Sequence, residues 1–118
     1  MHEWALASEI IKIAVKEAES RNAPRVAEIE VKVGALNSIV KEQLVEAFDI
    51  AKLETMLEGT EIRVLEVEAR GRCPKCGNEF KIELPFICCS KCGNMDISVE
   101  SGEEMHLSRI VLDYDEES

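Results

Sequence analysis

The sequence predicts an α+β fold: a small three-stranded sheet with two helices and, inserted late in the chain, a compact four-cysteine module. Three observations carry this expectation. Apolar residues near the amino terminus recur at spacings of three and four, those further on alternate every second residue, and a cysteine pair is written twice from Cys73 onward. At 118 residues the chain has room for one modest domain, or one domain and a very small module, because two independent cores of half this length would each be marginal.

From Glu3 to about Arg21, Leu6, Ala7, Ile10, Ile11, Ala14, Val15 and Ala18 lie on one side of an amphipathic helix, with Glu9, Lys12, Lys16 and Glu19 between them. Asn22, Ala23 and Pro24 close it, since the residue before a proline is biased out of the helical region. Over Val26 to Gly34, Ile29, Val31 and Val33 alternate with Glu28, Glu30 and Lys32, the period of a half-buried strand.

A second helix is predicted from Lys41 to Leu57, with Leu44, Val45, Phe48, Ala51 and Met56 inward and Gly59 as its stop. Glu61 to Arg70 reads as a strand with a defect: Ile62 and Val64 share one parity, Leu65, Val67 and Ala69 the other, which predicts a bulge or burial on both faces. A last strand, Met105 to Leu112, is too short to fold alone and is expected to return to the sheet of the first two. The predicted division is a main domain of residues 1–70 and 102–118, with residues 71–101 as the inserted module.

Composition narrows the function. With 14 Lys and Arg against 24 Asp and Glu, the formal charge of −10 repels a phosphate backbone, so nucleic acid is not the expected partner. No run approaches the length of a spanning helix and no signal-peptide pattern is present, which predicts a cytoplasmic protein. In a reducing compartment, five cysteines argue for metal or redox chemistry and against disulfides.

Cys73-Pro74-Lys75-Cys76-Gly77-Asn78 and Cys89-Ser90-Lys91-Cys92-Gly93-Asn94 are the same knuckle written twice. Two residues between cysteines let both sulfurs meet one ion, and the following glycine permits the tight turn that aims backbone N–H groups at the thiolates. Four thiolates at Cys73, Cys76, Cys89 and Cys92 make a zinc-ribbon-like module, structural because no coordination position stays open for water or substrate. An isolated iron would accept the same rubredoxin-like ligands, and the sequence leaves the two metals open. Lys75 and Lys91 are placed to soften the charge of the site or simply to lie in solvent. Cys89 is assigned over Cys88 because it reproduces the first knuckle's spacing.

The amino terminus, Met1-His2-Glu3-Trp4, offers different chemistry. A histidine in second place disfavours removal of Met1, leaving an α-amine one residue from an imidazole. Amine, ionised His2 amide nitrogen and imidazole nitrogen close fused chelate rings in a plane, the tetragonal nitrogen set that suits Ni(II) or Cu(II). The Glu3 backbone nitrogen, its carboxylate, or a group from another chain is the fourth donor. The same residues read without metal give a solvated terminal His2, and a Glu3 that favours the positive end of a helix. Trp4 reads as a core or interface aromatic, and His106 as a surface strand residue.

Met1-His2-Glu3-Trp4-Ala5-Leu6-Ala7, the strand end Val31-Lys32-Val33-Gly34-Ala35-Leu36, and Leu65-Glu66-Val67-Glu68-Ala69 ahead of two CxxC knuckles together resemble the HypA/HybF family of nickel metallochaperones. The likeness runs nearly the full length, with the elements in the family's order. It implies a protein that carries Ni(II) transiently at Met1, His2 and Glu3, and structural Zn(II) at Cys73, Cys76, Cys89 and Cys92. The implied partners are a HypB-type nickel GTPase and the large subunit of [NiFe]-hydrogenase, with urease maturation factors as further ones, and no catalysis is implied. Two features depart from the family pattern: Gly77 to Ile87 holds no histidine for nickel, and Cys88 lies outside it. Two other readings of the residues are a zinc-ribbon adaptor without metal transfer and a rubredoxin-like electron carrier.

Overall fold

A computed structural model describes residues 2–114, with His2 described by its backbone alone. Asp115 to Ser118 lie outside the described residues. The chain runs α1 (His2–Ser20), β1 (Arg25–Gly34), α2 (Lys41–Ala51), β2 (Glu61–Val67), β3 (Arg70–Arg72), β4 (Glu79–Lys81), β5 (Ser98–Ser101) and β6 (Met105–Asp113). Two three-stranded sheets result, ordered β2-β1-β6 and β4-β3-β5. The α+β expectation holds, and the last strand does return to the sheet of the first two.

Among the described residues, the first compact unit comprises residues 2–32, 39–65 and 106–114. Here α1 packs on α2. Ala7, Ile10, Ile11, Ala14 and Ala18 from α1, Leu44, Ala47 and Phe48 from α2, and Ile29 and Val31 from β1 are buried together with Leu57. Contacts along β1 and β2 rise together: Thr60 Oγ1 donates to Val26 O at 2.7 Å and Arg63 pairs with Glu28 at 3.4 Å. The two strands are therefore parallel, which a crossover through α2 makes possible. Contacts with β6 run the other way, Arg25 to Asp113 at 3.2 Å and Arg109 to Glu28 at 3.2 Å, so β6 is antiparallel to β1.

Helix α1 ends as its sequence predicts. Asn22 takes a left-handed φ of 54°, and Ala23 N–H returns to Ala18 O at 2.9 Å, an asparagine-terminated C-cap. Helix α2 is shorter than its periodicity predicts, ending at Ala51 and not Leu57. Glu54 adopts φ 63°, and Thr55 Oγ1 donates to Lys52 O at 2.6 Å and accepts Leu57 N–H at 3.0 Å. A turn thus delivers Leu57 to the core, so the apolar spacing outlasts the helix that it resembles. Val45, expected inward, is exposed, and Ala47 takes the buried position.

The second compact unit comprises residues 33–38 and 66–105. Its central strand β3 pairs antiparallel with β4 on one side and β5 on the other. The strand predicted over Glu61 to Arg70 is divided, with β2 ending at Val67 and β3 starting at Arg70; the expected burial on both faces is not seen, since Leu65 is exposed within an unbroken β2, and the register irregularity lies further on, between Arg70 and Gly71. Three chain passages are laced together near this point: Gly34 N–H meets Glu104 O at 2.7 Å, Ala35 N–H meets Val67 O at 2.9 Å, and Leu36 N–H meets Gly102 O at 2.8 Å. Strands β3, β4 and β5 escape sequence reading because three or four residues are too few to show a period.

Candidate metal centre

Each knuckle closes by the same two main-chain bonds. Cys73 N–H donates to Asn78 O at 2.9 Å and Gly77 N–H to Cys73 O at 2.7 Å; Cys89 N–H donates to Asn94 O at 2.8 Å and Gly93 N–H to Cys89 O at 3.0 Å. The turns require φ of 76° at Gly77 and 77° at Gly93, a region that glycine enters without steric cost. The identical Cys-Gly-Asn endings of the two motifs are the local cause of these identical turns.

The four sulfurs of Cys73, Cys76, Cys89 and Cys92 converge within 4.8 Å of one another, and among the described residues no other His, Cys, Asp or Glu joins such a group. Across the knuckles, Cys73 Sγ lies 3.7 Å from Cys92 Sγ and Cys76 Sγ 3.6 Å from Cys89 Sγ. A tetrahedron with zinc–sulfur bonds of about 2.3 Å has edges of about 3.8 Å, so a tetrathiolate zinc fits this cluster. Cys73 and Cys89 are buried, whereas Cys76 and Cys92 are exposed. Cys88 is half-buried and outside the cluster, lining a cavity with Phe80, Lys81 and Phe86.

The thiols are unequal. Backbone N–H groups of Cys92 and Lys91 approach Cys89 Sγ at 3.4 and 3.3 Å and, against the effect of burial, bring its pKa down to about 6. Cys73 is likewise lowered, first by the backbone N–H of Cys76. Cys92 is pushed up to about 11: the N–H of Asn94 favours its thiolate, but contact with Cys73 sulfur, burial and contact with Cys89 and Cys76 sulfurs outweigh it. A dication binding here displaces the proton held at Cys92. Lys91 therefore serves the site through its main chain, and the side chains of Lys75 and Lys91 are exposed. Sequence reading missed Asn78 and Asn94, whose side chains also reach the sulfurs, although their identical offset from Cys73 and Cys89 was visible.

At the amino terminus, Met1 and the His2 side chain lie outside the described residues, so two of the three residues predicted to hold nickel have no described side chain. Glu3 is described. Its Oε2 accepts the N–H of Val40 at 3.0 Å, immediately before α2, where Val40 supplies no side-chain cap of its own. Trp4 is half exposed, not core, and lines a cavity of about 340 Å³ with Glu3, Gln43, Glu46, Ala47 and Ile50. His106 is exposed in β6 and outside any ligand cluster among the described residues. No described helix is long and apolar enough to cross a membrane.

The fold and the four-thiolate cluster define a small α+β metal-handling protein with a zinc-ribbon-like centre. Residues 1–112 match the sequence profile of the HypA family, described as hydrogenase/urease nickel incorporation, metallochaperone, and the chain belongs to that family. The hydrogenase maturation factor HypA of Chlorobium luteolum is 33% identical over 113 residues, covering 96% of this chain and 97% of that one. That of Chlorobaculum tepidum is 32% identical over 113 residues, covering 96% and 100%. Among solved structures, the Ni metallochaperone HypA from Helicobacter pylori superimposes with a TM-score of 0.69 at 21% identity, over 96% of this chain and 98% of that one. These comparisons place the chain in a metallochaperone family of hydrogenase maturation, not in a family of enzymes.

Proposed function

We propose that this protein carries Ni(II) as cargo at its amino terminus and delivers it, with a HypB-type GTPase, to the large subunit of [NiFe]-hydrogenase. The observation that carries the reading is the family match over residues 1–112 in a chain that opens Met1-His2-Glu3. Nickel handling falls to residues 1–70 with 102–118, and structural zinc to Cys73, Cys76, Cys89 and Cys92 in residues 71–101. The proposed setting is the cytoplasm, with urease maturation factors as additional partners.

The donors proposed for nickel are the Met1 amine, the His2 amide and imidazole nitrogens, and a nitrogen of Glu3. A helix opening at His2 leaves the amide groups of its first turn without intrahelical acceptors, so those nitrogens are not withheld by helix bonding. The Glu3 carboxylate faces Val40 N–H, which favours the Glu3 backbone nitrogen as the donor from that residue. Such a planar set at a helix end gives up its ligands one at a time to an acceptor, so transfer outpaces release into water. The tetrathiolate centre is suited to permanent retention instead, since structural zinc is held with about 10–16 kcal/mol at neutral pH, too tightly for rapid hand-over.

Calorimetric nickel titration of zinc-loaded, tag-free protein tests this, beside His2→Ala and an amino-terminally extended form. Binding of about one Ni(II) at micromolar strength, about −8 kcal/mol, lost in both variants, supports the reading. Equal binding by all three removes nickel from the amino terminus and leaves a zinc-ribbon adaptor as the better account.

A further inference from the structure

Each knuckle ends in an asparagine five residues after its first cysteine, Asn78 after Cys73 and Asn94 after Cys89. The main chain of each closes its own knuckle, as described above, but the side chains do something else. Asn78 Nδ2 lies 3.7 Å from Cys89 Sγ, and Asn94 Nδ2 lies 3.6 Å from Cys73 Sγ. Each carboxamide therefore leaves its own knuckle and meets the first cysteine of the other.

The sulfurs chosen belong to the buried pair, Cys73 and Cys89, whereas Cys76 and Cys92 are exposed residues. A buried thiolate must find its donors in the protein, because an uncompensated buried charge is costly. Backbone N–H groups supply some of these donors and the carboxamides supply one more to each sulfur. The orientation of Asn94 is fixed by its second partner: Asp96 N–H donates to Asn94 Oδ1 at 3.3 Å, which turns the nitrogen toward Cys73 and lets it also reach Asp96 O at 3.3 Å. Asn78 Nδ2 also donates to Ser90 Oγ at 3.1 Å, again in the opposite knuckle.

We propose that Asn78 and Asn94 are positioning residues of the metal centre, each donating a carboxamide N–H across the site to the first cysteine of the opposite knuckle. The bond orients that sulfur toward the ion and withdraws electron density from it, so the metal-bound thiolate is a weaker nucleophile. The two knuckles are thereby cross-braced, and loss of either asparagine is felt in the knuckle that does not contain it. This assignment rests on the metal reading above, and orienting partners of this kind are commonly worth about 10–100-fold in metal affinity.

The test uses the full chain, with metal content measured first, as wild type, Asn78→Asp, Asn94→Asp and the two alanine variants. Zinc affinity is read by chelator competition, and the zinc-loaded proteins are then labelled with N-ethylmaleimide and mapped cysteine by cysteine by mass spectrometry. The ratio of variant to wild-type rate at one cysteine cancels its accessibility, and Cys88 serves as a reference outside the cluster. The expected result is a loss of about 10–100-fold in zinc affinity, with labelling accelerated at Cys89 by changes at Asn78 and at Cys73 by changes at Asn94. Asn94→Asp retains an acceptor for Asp96 N–H but has no donor for the sulfur and sets a negative charge beside it, so it must weaken the site at least as much as alanine. If the alanine variants do not fold, the isosteric aspartates carry the test. Acceleration confined to the variant's own knuckle, equal acceleration at all four cysteines, or an Asn94→Asp protein indistinguishable from wild type overturns the assignment. A wild-type protein purified without metal and unable to take up zinc overturns the metal reading itself, and the assignment with it.

Discussion

Alanine at position 34 should be among the most damaging single-methyl changes available in this chain. A Cβ there would stand 1.9 Å from the carbonyl oxygen of Gly102, 2.0 Å from its carbon and 2.6 Å from the nitrogen of Glu103. All three atoms are main chain, so no rotamer change relieves the clash, and with ordinary contacts at about 3.5 Å the backbone must retreat by about 1.5 Å. The hydrogen bonds of Gly34, Ala35 and Leu36 to Glu104, Val67 and Gly102 lie within that displaced stretch. Losing two of them at about 1 kcal/mol each, with overpacking at about 1–3 kcal/mol, destabilises by about 3–5 kcal/mol. Domains of this size have about 5–15 kcal/mol in total, and at about 4–8 °C per kcal/mol the melting temperature should fall by about 12 °C or more. Thermal unfolding of zinc-loaded protein followed by circular dichroism reads this directly. Gly59→Ala is the control: nothing lies within 4 Å of its Cβ, so it should be neutral or more stable by up to about 1 kcal/mol through the unfolded chain. A Gly34→Ala protein melting within about 2 °C of wild type would show that the main chain at Gly102 and Glu103 yields without cost.

Three further outcomes are expected. Serine in place of Cys73 or Cys92 removes one of four ligands and should abolish tight zinc retention, with new protease cleavage confined to residues 33–38 and 66–105; cleavage elsewhere would show that the metal stabilises the other unit instead. Because Cys92 is pushed up to about 11 and Cys89 is brought down to about 6, zinc uptake at neutral pH must expel at least the Cys92 proton. Affinity should therefore rise about tenfold per pH unit per proton, more steeply below pH 6 where Cys89 also binds a proton, and chelator competition giving a flat profile from pH 5 to 8 would contradict this. Glu3→Gln keeps an acceptor for Val40 N–H whereas Glu3→Ala loses it. Only the alanine should cost stability, about 0.5–2 kcal/mol, while calorimetry should find nickel binding unchanged by Gln; weakening by Gln would make the carboxylate a ligand.

What was legible in the sequence was whatever is encoded locally. The 3.6-residue period of α1, the alternation through Ile29, Val31 and Val33, and the repeated CxxCGN knuckle each depend on neighbours only a few residues away. The misreadings arise where distant partners decide. Leu57 is buried from a turn, so its periodicity prolonged a helix that ends at Ala51. Strands β3, β4 and β5 exist because Arg70 to Arg72 finds two partners at once, which no run of three residues announces. The Glu3 to Val40 bond and the crossing of Asn78 and Asn94 between knuckles are likewise contacts across sequence distance. The asparagines differ in having left a trace, since a repeated motif that ends twice in the same residue asks for a repeated reason.

The burial pattern of the four cysteines gives the centre a front and a back. The first cysteine of each knuckle is enclosed by protein, and the second faces solvent. A chelator, a competing ion or an oxidising molecule therefore meets Cys76 and Cys92 before it can touch Cys73 or Cys89. Exchange through the front unfastens one sulfur from each knuckle while the back pair still grips the ion. Metal turnover at this centre should accordingly proceed through half-released states in which both knuckles stay folded, and reach complete unfolding only when the back pair lets go.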